Sequence, residues 1–424
     1  MSGAELIGQV PPHWSVKPLR ILGRLFKGSG GSKADAVEEG VPCVRYGELY
    51  TAFDNFIDRA RTCISQERAA EYTPIEFGDV LFAASGETIE EIGKSAVNLV
   101  RGARCGSDLI VFRPTQPFAP RFLGYATDAA PVAAQKSLAG RGSTVKHIYP
   151  DELREVLIAI PPMGEQQLIA DFLDRETARI DALIAAKQRL LELLAEKRKA
   201  IIATAVTRGR DPNVKLRDSG VPWLGEIPAH WEIERARWLF RERDVRSTTG
   251  EEEMLTVSHL TGITPRSEKD VNMFEAETNE GYKLCEPGDL VINTLWAWMG
   301  AMGIAPVKGI VSPAYNVYEP GPRLAPAYID ALVRLPVFAQ EVTRYSKGVW
   351  SSRLRLYPEG FFEVYLPVPP QEEQRATVLH IARETAKLDA VRSATERTIV
   401  LLKERRSALI AAAVTGQLDV GAAA

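Results

Sequence analysis

PPMGEQQLIADFLDRETARIDAL (161–183) occurs twice in this chain: 208 positions later the sequence reads PPQEEQRATVLHIARETAKLDAV (369–391). Both prolines, Glu165/Glu373, Gln166/Gln374, the RETA tetrad at 175–178 and 383–386, and Asp181/Asp389 coincide. The same shift lays EKRKAIIATAVT (196–207) on ERRSALIAAAVT (404–415). One register held over about fifty residues identifies an internal duplication.

Each copy predicts a long helix. A proline pair suits a helix start, where a missing N–H costs nothing, and the glutamates that follow suit the positive end of the helix dipole. From Leu173 an alternating four-three spacing selects Leu173, Thr177, Ile180, Ile184, Lys187, Leu191, Leu194, Arg198, Ile201 and Ala205. The second copy gives Ile381, Thr385, Leu388, Arg392, Thr395, Ile399, Leu402, Arg406, Leu409 and Ala413. This is a coiled-coil seam whose polar interruptions help fix register. Forty residues of helix extend ~60 Å, and one apolar stripe of that length needs a partner. The other copy supplies it, so the two helices are expected to pair antiparallel.

Composition sets the frame. The chain has 424 residues, 45% of them hydrophobic and 25% charged, which suits a globular protein of two or more domains. Nothing near Met1 resembles a signal peptide and no apolar run reaches membrane-spanning length, so the expectation is a cytoplasmic protein with no membrane partner. Cys43, Cys63, Cys105 and Cys285 lack metal or redox spacing and read as reduced, packed thiols. The formal net charge is −3. Residues 1–163 carry 18 basic and 19 acidic side chains, and 212–370 carry 17 and 21, so any nucleic-acid face must come from local clustering.

Outside the helices the duplication survives at the edges of two globular segments. PPHWSVKPLRIL (11–22) answers PAHWEIERARWL (228–239), FGDVLF (77–82) answers PGDLVI (287–292), and HIYPDELREVLIAIPP (147–162) answers RLYPEGFFEVYLPVPP (355–370). Between these landmarks the copies diverge, as expected of two reader modules tuned to different targets. GDVLFAAS, DLIVFRP, GDLVIN and YNVYEP read as strands, and 120–139 and 326–346 read as helices. The fold class is therefore α+β, with mixed modules on small twisted sheets. The expected organisation is a first module at 1–160, a long helix at 161–210, a second module at 211–368 and a second long helix at 369–417.

The order of IPAHWEI, a GD-plus-strand element, a YP turn, PP-x-x-EQ opening a long helix and a closing AVTG resembles the specificity subunits of type I restriction–modification enzymes. The resemblance runs over almost the whole chain, in both halves. The first helix departs from it by ending AVTRG (205–209) rather than AVTG. The resemblance implies two target recognition domains in pseudo-twofold arrangement, joined by two long antiparallel coiled-coil helices. Each domain would read one half of a bipartite, asymmetric site in double-stranded DNA. The helices would act as spacer and dock two DNA methyltransferase subunits, with motor-nuclease (restriction) subunits joining the larger complex.

No chemistry of the chain's own is apparent. GxxxxGK[ST], a strand-linked GxGxxG, HExxH and paired CxxC are absent from the sequence, as is the Asn/Asp-Pro-Pro-aromatic tetrad of amino-methyltransferases. A non-catalytic subunit without cofactor or metal is the expectation. His13 and His230, each beside a tryptophan of the repeat, read as structural. Reading DNA needs donors and acceptors on loops beside a rigid sheet, with Lys or Arg holding phosphates. In the first module SGETIEEIGK (85–94) and GRGSTVKH (140–147) offer Lys94, Arg141, Ser143, Thr144 and Lys146, with Glu87 as an acceptor for cytosine. In the second, NTLWAWMGAMG (293–303), SPAYNVY (312–318) and RYSKGVWSSRLR (344–355) offer Trp296, Tyr315, Asn316, Arg344, Lys347, Arg353 and Arg355. On a strand, Trp296 and Trp298 would share a face with Ala297 opposite. The competing reading is a protein-interaction scaffold whose two modules hold peptides or subunits rather than DNA.

Overall fold

The proline pairs begin the two long helices. In the computed structural model, which describes residues 3–31, 33–89, 91–142, 146–268, 278–348 and 354–423, these helices run Met163–Arg208 (46 residues) and Gln371–Val414 (44 residues). The carbonyls of Pro162 and Pro370 accept the first helical bonds, from the amides of Glu165 and Gln166 and of Glu373 and Gln374. Left-handed glycines end both helices, Gly209 at φ 78° and Gly416 at φ 74°. The AVTRG exit therefore places its glycine one residue late and stops the helix in the same way.

The chain divides into two compact units, and the division cuts both helices. One unit comprises Met1–Gln188 with Glu396–Ala424; the other is Arg189–Thr395. Each unit thus holds the first half of one long helix and the last half of the other. In the first unit Ile169, Ala170 and Leu173 share a core with Ile410, Ala413 and Val414, and Asp181 pairs with Arg406. In the second, Val206 and Ile202 lie against Val378 and Ile381, while Arg198 pairs with Asp389. Early residues of one helix meet late residues of the other, so the segments pack antiparallel in each unit. Every seam position selected by the spacing is buried or half-buried except Arg392, which is exposed. The buried seam threonines are satisfied locally: Thr177, Thr385 and Thr395 donate to the carbonyls of Leu173, Ile381 and Val391.

Each module contributes an antiparallel sheet of the same order. In the first it runs Gly23–Lys27, Leu109–Pro114, Val80–Ala83, Ser95–Asn98, with Phe56–Ile57 added in parallel at the edge. In the second it runs Phe240–Glu242, Asn316–Pro320, Leu290–Ile292, Met302–Ile304. The interiors differ, as their sequences do. A further five-stranded sheet built on Val41–Val44 and Thr62–Ile64 fills the first module, whereas the second has the paired strands Leu255–Ser258/Gly262–Pro265 and Lys283–Cys285/Gly309–Val311. The helical stretches at 120–139 and 326–346 are each broken in two, Pro120–Asp128 with Ala130–Ala139 and Pro336–Arg344 following Pro326–Val333. The second break falls at Leu335, because a proline ring disfavours helical geometry in the residue before it; the first falls at Ala129, where Pro131 has no N–H and its ring would clash with the Thr127 carbonyl of a continued helix.

A clasp, built twice, joins each module to its helix ends. One oxygen of the Glu165 carboxylate lies 2.8 Å from His13 Nε2, and the other accepts the Trp14 indole N–H at 2.9 Å. Glu373 does the same for His230 and Trp231, at 2.7 and 2.9 Å. The neighbouring glutamine completes it. Gln166 accepts the Ala119 amide at 3.0 Å and donates to Pro161 O at 3.0 Å; Gln374 accepts from Ala325 at 2.7 Å and donates to Pro369 O at 2.8 Å. The helix-ending glycines close on the same tryptophans. A Cβ on Gly416 would meet Pro11 at 2.3 Å and Trp14 at 3.2 Å, and one on Gly209 would meet Trp231 at 3.3 Å. His13 and His230 therefore have the structural role expected of them.

Cys43, Cys105 and Cys285 are buried free thiols whose pKa burial pushes up to about 12, so they stay protonated and inert. Among the described residues no helix is long and apolar enough to cross a membrane, and no group of three or more His, Cys, Asp or Glu is placed to hold a metal.

Candidate nucleic-acid interface

The divergent loops converge on one corner of each module. In the first, the strand Val80–Ala83 ends at Ala84, whose carbonyl accepts the Ile148 amide at 3.0 Å. Just beyond it, Ser85–Gly86 pairs antiparallel with Lys146–His147, and Arg141 and His147 exchange backbone bonds. In the second, the strand Leu290–Ile292 leads to Thr294, whose carbonyl accepts the Leu356 amide at 3.0 Å. Lys347 and Arg355 exchange backbone bonds of 2.9 Å. In both modules the end of the same strand is thus bonded to the chain just after a two-residue backbone bridge. The two segments proposed for the first module, and the three for the second, are brought together.

The corners carry different chemistry. Glu87, Thr88 and Arg141 are exposed in the first, with Arg141 paired to Glu152 at 3.2 Å. Lys146 is half-buried and donates to Gly142 O. Lys94 points away from such a role: its ammonium is held by Asp54 at 3.3 Å and Asp128 at 2.5 Å, leaving the side chain 24% exposed. Ser143 and Thr144 lie outside the described residues.

In the second module the corner is tied together by Thr294. Its hydroxyl donates to Ala314 O at 2.7 Å and lies 3.2 Å from Arg355 Nε, while the Arg355 guanidinium sits 5.4 Å above the Tyr357 ring. Asn293 donates to the Tyr315 hydroxyl at 3.0 Å. Asn316 is a buried strand residue opposite Ile292. Arg344, 62% exposed, pairs with Glu341, and Lys347 is exposed. Arg353 and Trp350 lie outside the described residues.

Asn293–Gly300, in a segment read as a loop, is a turn containing the 3-10 helix Ala297–Met299, so the shared face that Trp296 and Trp298 would have on a strand does not arise. The Asn293 side-chain oxygen accepts the Leu295 amide at 3.2 Å, a local bond that competes with extended structure. Ala297 is buried, Trp296 is exposed, and Trp298 is half-buried with its N–H on Leu295 O. Asn293, Thr294, Leu295 and Met299 escaped the sequence reading, although they lie in the stretch that yielded Trp296.

Residues 31–193 match the sequence profile of the type I restriction modification DNA specificity domain. The EcoKI specificity subunit of Escherichia coli K12 is 25% identical over 53% of this chain and 47% of its own. The MjaX putative specificity subunit of Methanocaldococcus jannaschii is 27% identical over 54% and 52%. The first half of the chain is thus similar to type I restriction–modification specificity subunits. The chain spans about half the length of these curated relatives. The fold agrees over nearly the whole chain. A chain from a structure on complex assembly and conformational transition of the type I R-M system superposes with TM-score 0.66 at 20% identity, covering 97% of this chain and 100% of that one. The HsdS subunit of Thermoanaerobacter tengcongensis gives 0.56 at 18%, covering 97% and 99%. The profile match takes in the first module from residue 31 and the first long helix as far as residue 193; the second module carries the same clasp.

Proposed function

We propose that the chain is the DNA-reading, non-catalytic subunit of a type I restriction–modification complex. Residues 1–160 and 211–368 act as two target recognition domains, each reading one half of a bipartite, asymmetric site. The long helices scaffold two methyltransferase subunits and, with them, the motor-nuclease subunits. The observation that carries this reading is the repeated corner: one scaffold presents Glu87, Thr88 and Arg141 in one module, and Trp296, Arg344, Lys347 and Arg355 in the other. Base-edge reading calls for such variation on a constant frame, with cations placing the backbone. Lys146 and Tyr315 border these corners, and Lys94 supports the first from within.

The test is to map methylated adenines in DNA from cells carrying the intact system, with and without this gene. A two-part motif that disappears with the gene supports the reading. Methylation unchanged by its loss refutes it and favours the interaction scaffold.

A further inference from the structure

We propose that the turn Asn293–Gly300 of the second module reads the C5-methyl group of a thymine. This rests on the DNA-reading function proposed above and deepens it. Leu295, Trp296 and Met299 are 44%, 50% and 37% exposed, so three large apolar side chains meet solvent on one eight-residue turn. The turn is rigidly held. Buried Ala297 anchors it, Gly300 closes it at φ 85°, the Trp298 N–H bonds Leu295 O, and the Trp296 carbonyl accepts from Met299 and Ala301. An apolar patch fixed this firmly, and half sunk rather than projecting, suits a small apolar group laid upon it.

Its surroundings name the partner. Thr294, which opens the turn, accepts the Leu356 amide and the Arg355 Nε–H, Arg355 is bridged through its backbone to Lys347, and the helix ending at Arg344 packs against the turn. Cations beside an apolar patch match phosphates beside a base edge. In the major groove only thymine presents a methyl group. The matching place in the first module holds Gly86, Glu87 and Thr88, which have no comparable apolar surface.

The experiment uses the full complex with its methyltransferase and duplexes carrying the mapped site. Each thymine of the second half-site is replaced in turn by deoxyuridine, which removes only the methyl group. One position should lose about fourfold in affinity, the value of one buried methyl-sized group. Deoxyuridine in the first half-site should have no such effect through this turn. In Trp296→Ala, and in Leu295→Ala/Met299→Ala, the thymine preference at that position should vanish, while the deoxyuridine duplex binds nearly as it does to the unaltered complex. A second half-site without thymine, equal affinity for thymine and deoxyuridine at every position, or a variant that weakens both duplexes equally would each overturn the proposal. A complex that fails to distinguish its site from unrelated DNA would instead overturn the DNA-reading function.

Discussion

Arg406→Met and Arg198→Met are substitutions at repeat-related positions, and the structure gives them unequal costs. Arg406 is 19% exposed and its guanidinium holds two carboxylates, Asp54 at 2.5 Å and Asp181 at 3.0 Å. Arg198 is 42% exposed and pairs with Asp389 at 2.6 Å. Hydrogen bonds to charged groups contribute about 1.5–3 kcal/mol. Because Asp54 and Asp181 are themselves 59% and 51% exposed, solvent screening puts Arg406 near the lower end, about 1.5–2 kcal/mol. The exposed pair at Arg198 is worth ~0.2–1 kcal/mol. Met keeps the apolar stem in the seam, so the difference isolates the guanidinium. Arg406 also belongs to a run of alternating charge in the first unit, Lys136–Asp128–Lys94–Asp54–Arg406–Asp181. Peptide-resolved hydrogen exchange on the full chain reads each unit separately, which a single melting temperature does not. Local opening around 396–414 should increase several-fold more in Arg406→Met than opening around 189–206 does in Arg198→Met. Equal increases, or a larger one at Arg198, would refute the claim that the second carboxylate and the burial decide the cost.

Three further outcomes can be checked. Burial pulls the Lys136 ammonium down to about 8 from an ordinary 10.5, so in that window the unfolded chain holds a proton the folded one lacks; stability contributed here rises from about pH 8 to 10.5, and Lys136→Met should remove that rise in denaturant titrations. Arg355→Ala and Lys347→Ala should each weaken DNA binding and reduce the slope of log affinity against log salt by about 1 for each phosphate left unneutralised; an unchanged slope assigns them to the solvated surface. Residues 1–210 alone lack the Ile410, Ala413 and Val414 that complete the first unit's core, but carry their repeat mates Ile202, Ala205 and Val206 and keep Ile184 where the second helix has Arg392. This fragment should form a twofold dimer by light scattering, and a folded monomer at tens of micromolar would show that the helices are not interchangeable.

The helices and their seam were legible because helical periodicity is a local property of sequence. So were the strands that follow each GD pair, whereas each YP pair, read as a turn, opens a five-residue helix, Pro150–Arg154 and Pro358–Phe362. The clasp was half legible: His13–Trp14, His230–Trp231, Glu165 and Glu373 all repeat, yet nothing in the spacing says that the carboxylates reach the indoles 151 and 142 residues away. Lys94 reads as a phosphate ligand because it ends a polar loop, but only the folded chain reveals Asp54 and Asp128 beside it. The segment 293–303 was legible as a loop, but not the Asn293 side chain that bonds the Leu295 amide and shapes its turn. Local pattern therefore located the elements, while long-range partners decided what their polar residues do.

What the duplication has kept, and what it has released, follows from one buried acid. Asp79 and Asp289, the aspartates of the two GD pairs, are 1% and 3% exposed and accept the amides of Glu76 and Glu286. Each needs a cation, because an unpaired buried carboxylate is costly. In the first module Arg113 supplies it at 2.7 Å, from the adjacent strand, with its guanidinium 5.4 Å over the Phe26 ring. In the second, the place of Arg113 opposite the outer strand is taken by Glu319, and the place of Phe26, two positions further along that strand, by Arg243. Arg243 then reaches Asp289 at 2.8 Å and Glu319 at 3.5 Å. An arginine–phenylalanine pair has been exchanged for a glutamate–arginine pair around an aspartate that stayed in place. The turn and its buried charge are thus the fixed requirement, and even the residue meeting that requirement can move between strands. A frame so tolerant of substitution leaves the corner beyond each GD strand free to differ, and at those corners one module presents a polar acidic turn and the other an apolar one edged with arginine and lysine.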